Sequence, residues 1–84
     1  MPRALTAEWV RVDPADEPAA AQRWRARQLQ LEREGCHHWV FRSPSDPTAF
    51  LEFIEAGDPA QLDRARALAG MTPNAEILIE LELS

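Results

Sequence analysis

A chain of 84 residues with 45% hydrophobic and 27% charged side chains is expected to form one globular domain over residues 1–84, too apolar to stay disordered. Its formal net charge of −5 argues against nucleic acid and acidic membrane surfaces as partners. No window approaches the roughly 18 apolar residues of a membrane span, and MPRALTAEW lacks the apolar run of a signal peptide, so the expected setting is cytoplasmic.

The lone cysteine, Cys36, excludes an internal disulfide and any multi-cysteine metal site, and is expected to be a small strand residue. All nine basic residues are arginine, which with the many alanines and prolines suggests a GC-rich bacterial genome. Residues 1–42 carry 7 arginines against 6 acids, and residues 43–84 carry 2 against 8. A domain this small removes only about 60% of its unfolded surface from water, so pairing with a second copy would help it.

Leu5–Asp13 alternates as a half-buried strand, with Val10 and Val12 on one side and Trp9 and Arg11 on the other. Asp13-Pro14-Ala15-Asp16-Glu17-Pro18 breaks it, and Asp16 is the expected N-cap of a helix running to Glu34. Ala20, Trp24, Arg27, Gln28 and Leu31 fall on one stripe of that helix, with Trp24 as its anchor on the sheet, and Gly35 ends it. Cys36–Arg42 and Thr48–Glu55 read as a hairpin around the turn residues Ser43-Pro44-Ser45-Asp46-Pro47. Asp58-Pro59-Ala60-Gln61 opens a second helix with a cap, a first-turn proline and a capping-box glutamine. That helix turns Leu62, Ala65, Leu68 and Ala69 inward and Asp63, Arg64 and Arg66 outward, and ends at Gly70; Met71–Asn74 is a loop and Ala75–Leu83 a last strand.

The order β-α-β-β-α-β predicts an α+β, ferredoxin-like architecture, an antiparallel four-stranded sheet with both helices on one face. Parity sorts the strands into two layers. Val10, Val12, Trp39, Phe41, Leu51, Phe53, Ile77, Ile79, Leu81 and Leu83 form an apolar set expected beneath the helices. Trp9, Arg11, His38, Val40, Arg42, Phe50, Glu52, Ile54, Leu78, Glu80 and Glu82 form a mixed, open face that a second subunit or a ligand must cover.

The candidate site follows from that mixed face. His38 beside a carboxylate is a general base, with Arg42 and Glu52 as its catalytic companions. Trp9, Phe50 and Ile54 would floor a cleft for a flat ligand, with Arg11 and Glu80 at its edges. Each has a plainer alternative: His38 satisfied across an interface, Arg11 and Arg42 paired with Glu52, Glu80 or Glu82, the apolar groups as subunit contacts. His37 and His38 point to opposite faces of a strand, so no metal site is expected. There is no Gly-rich phosphate loop, no Ser-His-Asp spacing and no nucleic-acid motif, and no cofactor is expected.

The segment GCHHWVFRSPSDPTAFLEFIEAGDPAQL resembles the antibiotic biosynthesis monooxygenase-like domains of the dimeric α+β barrel superfamily. The resemblance rests on Gly35 before strand two, Asp46-Pro47 and Phe50 at the turn into strand three, and the acid-containing strand Glu52–Glu55 leading to a short helix. Where members often close strand three with Trp, this chain has Ile54 or Glu55. The resemblance implies a homodimer with sheets packed face to face and a cleft over each mixed face, in a family that includes cofactor-free oxygenases, isomerases and cyclases. It supports a small planar organic ligand; the alternatives are a non-catalytic dimeric module or an assembly partner of a larger enzyme.

Overall fold

The computed structural model describes residues 2–71 and 75–83. β1 (Ala4–Arg11) leads through a 3₁₀ turn at Pro14–Asp16 into α1 (Glu17–Arg33), followed by β2 (His37–Arg42), β3 (Ala49–Ala56), α2 (Pro59–Leu68) and β4 (Leu78–Ile79). The strands form one antiparallel sheet in the order β2-β3-β1-β4, the ferredoxin-like α+β arrangement that the element order predicts. The expected loop residues Thr72, Pro73 and Asn74 lie outside the described residues.

The element ends follow from local chemistry. Asp16 is not a side-chain cap, because the 3₁₀ turn runs straight into α1 and its N–H already bonds the Asp13 carbonyl at 2.9 Å. At the other end Gly35 adopts φ +78°, and the Cys36 N–H reaches the Leu31 carbonyl at 2.9 Å, closing a Schellman turn. α2 starts as the sequence indicates: Asp58 Oδ1 accepts from the Gln61 N–H at 2.8 Å. The Gln61 side chain reaches back to the Gly57 N–H at 2.9 Å and donates to the Glu34 carbonyl at 2.9 Å, tying the start of α2 to the end of α1. In the hairpin turn, Asp46 Oδ1 accepts from the Thr48 N–H at 3.0 Å and hydroxyl at 2.7 Å.

The layers of β1 match expectation, those of β2 and β3 do not. The register sets Val10 opposite Phe50, Thr6 opposite Ile54 and Ile54 opposite His38, so all of these share the helix side. Phe50, Ile54, His38 and Glu52 are therefore buried, while Trp39, Phe41 and Trp9 are exposed on the open side. Leu51 and Phe53, expected beneath the helices, also lie on the open side, half-buried. Each face of the hairpin mixes apolar with ionisable residues, His37, Trp39, Phe41, Leu51, Phe53 and Glu55 on one and His38, Val40, Arg42, Phe50, Glu52 and Ile54 on the other, so alternation alone could not say which one the helices cover.

Two more expectations are corrected. Among the described residues β4 pairs only through Leu78 and Ile79, with one further bond from the Glu80 N–H to the Arg3 carbonyl at 2.8 Å. The Arg3 N–H donates to the Glu80 side chain at 3.0 Å, and Leu81 and Leu83 run past the sheet with 77% and 86% exposure. Arg66, expected outward, is buried; it donates to Asp63 at 2.9 Å and to the Ala75 carbonyl at 3.2 Å, while Leu68 is exposed.

The core falls into two apolar clusters along α1. One gathers Leu31, Cys36, Ile54, Leu62 and Ala65 with Ala4 and Ala56; the other gathers Val12, Ala20 and Phe50 with Trp24, Val10 and Val40 packed on it. Trp24 sits on Phe50 with ring centroids 5.1 Å apart, the anchoring role expected of it. Cys36 is a buried free thiol, its pKa raised first by burial.

Candidate functional site

Between the two apolar clusters lies a polar layer, one turn of α1 over one residue pair of the sheet. Glu52 occupies β3 between Phe50 and Ile54, and it is 4% exposed. Arg27, on the inward stripe of α1, places Nη1 2.8 Å from each Glu52 oxygen. His38, diagonal to Glu52 across the β2–β3 ladder, brings Nε2 to 2.6 Å from Oε2, and Gln28 holds the His38 carbonyl at 2.8 Å.

The charge state of Glu52 follows from this packing. Burial alone would raise its pKa, but the hydrogen bonds from His38 and Arg27 and the guanidinium charge outweigh it, and the carboxyl is held below its ordinary value. An ionised carboxylate can only accept, so the proton between the two groups belongs to His38 Nε2. With the proton on Nε2, the lone pair of a neutral imidazole would lie on Nδ1, an atom that is buried and has no hydrogen-bond partner among the described residues. Few buried polar atoms are left so, and those that are call for an explanation.

Trp24 divides two openings onto this layer. On the β2 side a slot of about 230 Å³ is lined by Trp24, Gln28, Val40 and His38. On the β1 side a cavity of about 360 Å³ is lined by Glu52 and Arg27 with Glu8, Arg23 and Val10.

The expected site residues are split between the two faces of the sheet. His38 and Glu52 meet as an acid–base pair, but on the helix side, with Phe50 beneath Trp24 and Ile54 in the core. Arg42 is also on that side, at the rim, where it pairs with Glu17 of α1 and lies over the Phe50 ring at 5.2 Å. Trp9, Arg11 and Glu80 lie on the far face: Trp9 is 63% exposed, Arg11 binds Asp46 at 3.0 Å, and Glu80 binds Arg3 at 2.8 Å. The Arg3 hydrogen bonds lower the Glu80 pKa to about 2. His37 is on the open face too, stacked on Trp39 at 5.8 Å, so the two adjacent histidines cannot share an ion.

The residue missing from the expected site is Arg27. Its position on the inner stripe of α1 was a usable signal, because a guanidinium turned toward a core needs a carboxylate beneath it, and β3 offers Glu52.

No family model and no curated protein matches the sequence. Among solved structures, one from Nitrosomonas europaea described as a "Putative antibiotic biosynthesis monooxygenase" aligns with a TM-score of 0.71 at 17% identity, covering 96% of this chain and 90% of that one. The structure of Rv0793 from Mycobacterium tuberculosis aligns with a TM-score of 0.64 at 18% identity over 100% of this chain and 97% of its own. A further "Putative antibiotic biosynthesis monooxygenase", from Bordetella bronchiseptica, aligns with a TM-score of 0.55 at 19% identity over 100% of both chains. Likeness at these identities speaks for the fold. The chain has the antibiotic biosynthesis monooxygenase-like α+β fold that its hairpin residues resemble.

Proposed function

We propose that this protein is a homodimer that binds a small planar organic molecule beside Trp24 and takes a proton from it with His38. The observation that carries the reading is the buried imidazole: one nitrogen is tied to an ionised carboxylate, the other is buried without a hydrogen-bond partner among the described residues, and His38 is among the residues that line an open slot. A proton arriving at Nδ1 makes an imidazolium whose counter-ion already waits at 2.6 Å, inside a layer where water does not weaken the attraction. Arg27 fixes the Glu52 carboxylate and through it the His38 tautomer, so it is a positioning residue. The substrate class is a phenol or an enolisable ketone, whose carbanion or enolate can carry onward chemistry without a cofactor. A bacterial cytoplasm is the setting that goes with this reading; no helix among the described residues is long and apolar enough to cross a membrane.

The test uses 2-naphthol as a binding probe and the enolisation of phenylpyruvate as the reaction, both on the intact protein. Wild type is expected to bind and to enolise, and His38→Ala to lose at least about a hundredfold in rate while keeping its fold, since Arg27 still satisfies Glu52. Nitrogen NMR of wild type should find the His38 proton on Nε2. Unchanged turnover in His38→Ala, or a proton on Nδ1 instead, would sink the proposal. In that case the polar layer is a packing device and the dimeric module without a ligand is the better account.

A further inference from the structure

The larger cavity, on the β1 side of Trp24, has a feature the proton-transfer reading does not use. The β1–β3 register puts Glu8 directly opposite Glu52, both on the helix side of the sheet. Like charges directly opposed destabilise a ladder unless a cation lies between them. Arg27 and His38 occupy three of the roughly four acceptor positions of Glu52, leaving one. Glu8, half-buried, makes no ion pair among the described residues. Arg23, one turn before Arg27, lines the same cavity and likewise has no carboxylate within ion-pair distance among the described residues. Two opposite charges thus line one cavity of about 360 Å³ without pairing, and Trp24 and Val10 contribute apolar surface to the same cavity.

We propose that this cavity binds a small aromatic zwitterion, its primary ammonium between Glu8 and Glu52 and its acid group on Arg23. An ammonium has three donors and suits two carboxylates whose acceptor positions are incompletely filled. The planar guanidinium of Arg23 matches a carboxylate in two parallel bonds. A divalent cation fits worse: two carboxylates are too few, and two guanidiniums line the same space. The cavity lies across Trp24 from the slot at His38 and shares only Glu52 with the proton-transfer reading, and it needs no proton moved by His38.

Calorimetric titration of the intact protein with L-phenylalanine, 3-phenylpropanoate, phenethylamine and magnesium chloride tests this. L-phenylalanine is expected to bind at least tenfold more tightly than either half-molecule. Glu8→Gln, which keeps the side-chain shape, should bring L-phenylalanine down to the affinity of 3-phenylpropanoate, and Arg23→Gln down to that of phenethylamine. His38→Ala, which frees a further acceptor position on Glu52, should abolish proton transfer without weakening L-phenylalanine binding, so that this inference and the proton-transfer reading fail independently. Equal affinity for the zwitterion and the plain acid, tighter binding of magnesium, or no binding of any of the three organic probes overturns the assignment.

Discussion

Glu52 shows how a buried charge is kept. Water is almost absent around it, yet three hydrogen bonds from Arg27 and His38 replace that solvation, and the balance favours the ionised form. Glu52→Gln removes the negative charge, sets an amide donor against the Arg27 guanidinium, and should cost about 3 kcal/mol in urea unfolding at pH 7. The loss depends on pH in a defined direction. A carboxyl whose folded pKa lies below its ordinary 4.5 stabilises above that value, and the contribution fades as pH falls through the folded pKa. The gap between wild type and Glu52→Gln should therefore be full at pH 7 and shrink below about pH 4.5. A gap that widens on acidification would show that Glu52 is protonated in the native state.

At the scale of elements, the junction of the two helices concentrates the most specific chemistry in the chain. Gly35 turns the chain out of α1 at φ +78°, and a Cβ there would lie 2.7 Å from Gln61 Nε2, the group that links α2 to the Glu34 carbonyl. Gly35→Ala thus meets two penalties, left-handed backbone strain of roughly 1–2 kcal/mol and displacement of the Gln61 amide. The second exists only while Gln61 is present. In a Gln61→Ala background the Gly35→Ala cost should be smaller by about 0.5–1 kcal/mol, a coupling that a double-mutant cycle reads directly. Strict additivity would mean that the Gln61 amide moves aside freely. The caps and turns at this junction were legible in the sequence because each is set by neighbours: Asp58, Pro59 and Gln61 satisfy one another, and Gly35 permits its own conformation. The faces of β2 and β3 were not, because both mix apolar with ionisable residues and the more apolar one, with Trp39, Phe41, Leu51 and Phe53, is the one the helices leave open. What decides between them is the long-range register with β1, where Thr6 and Val10 meet Ile54 and Phe50. The candidate site inherited that ambiguity: His38 and Glu52 were named together, while Trp9, Arg11 and Glu80 were placed with them across the sheet.

The same inversion changes what the whole molecule presents to its surroundings. The side of the sheet away from the helices displays Trp9, Trp39, Phe41 and Leu78 at 42–63% exposure, with Leu51 and Phe53 half-buried among them. Phe41 and Phe53 already meet edge to face at 5.6 Å, so this is a packed aromatic surface and not a scatter of single residues. An antiparallel sheet exposed to water on one side normally alternates polar residues there, and apolar patches of this kind mark contact surfaces in soluble proteins. The occupant proposed for it is a second copy, whose identical sheet offers the same aromatic layer about a two-fold axis. Sedimentation at micromolar concentration should then give a particle of twice the 9.5 kDa chain. Because folding and association are linked, the unfolding midpoint should rise with protein concentration. Phe41→Asp puts a charge into that layer without touching either core cluster, since its side chain points away from α1 and α2. It should shift the particle to a monomer, remove the concentration dependence and keep the far-ultraviolet dichroism of the fold. A wild-type chain that sediments as a monomer, with a midpoint independent of concentration, would leave this aromatic face without its second copy and refute the dimer.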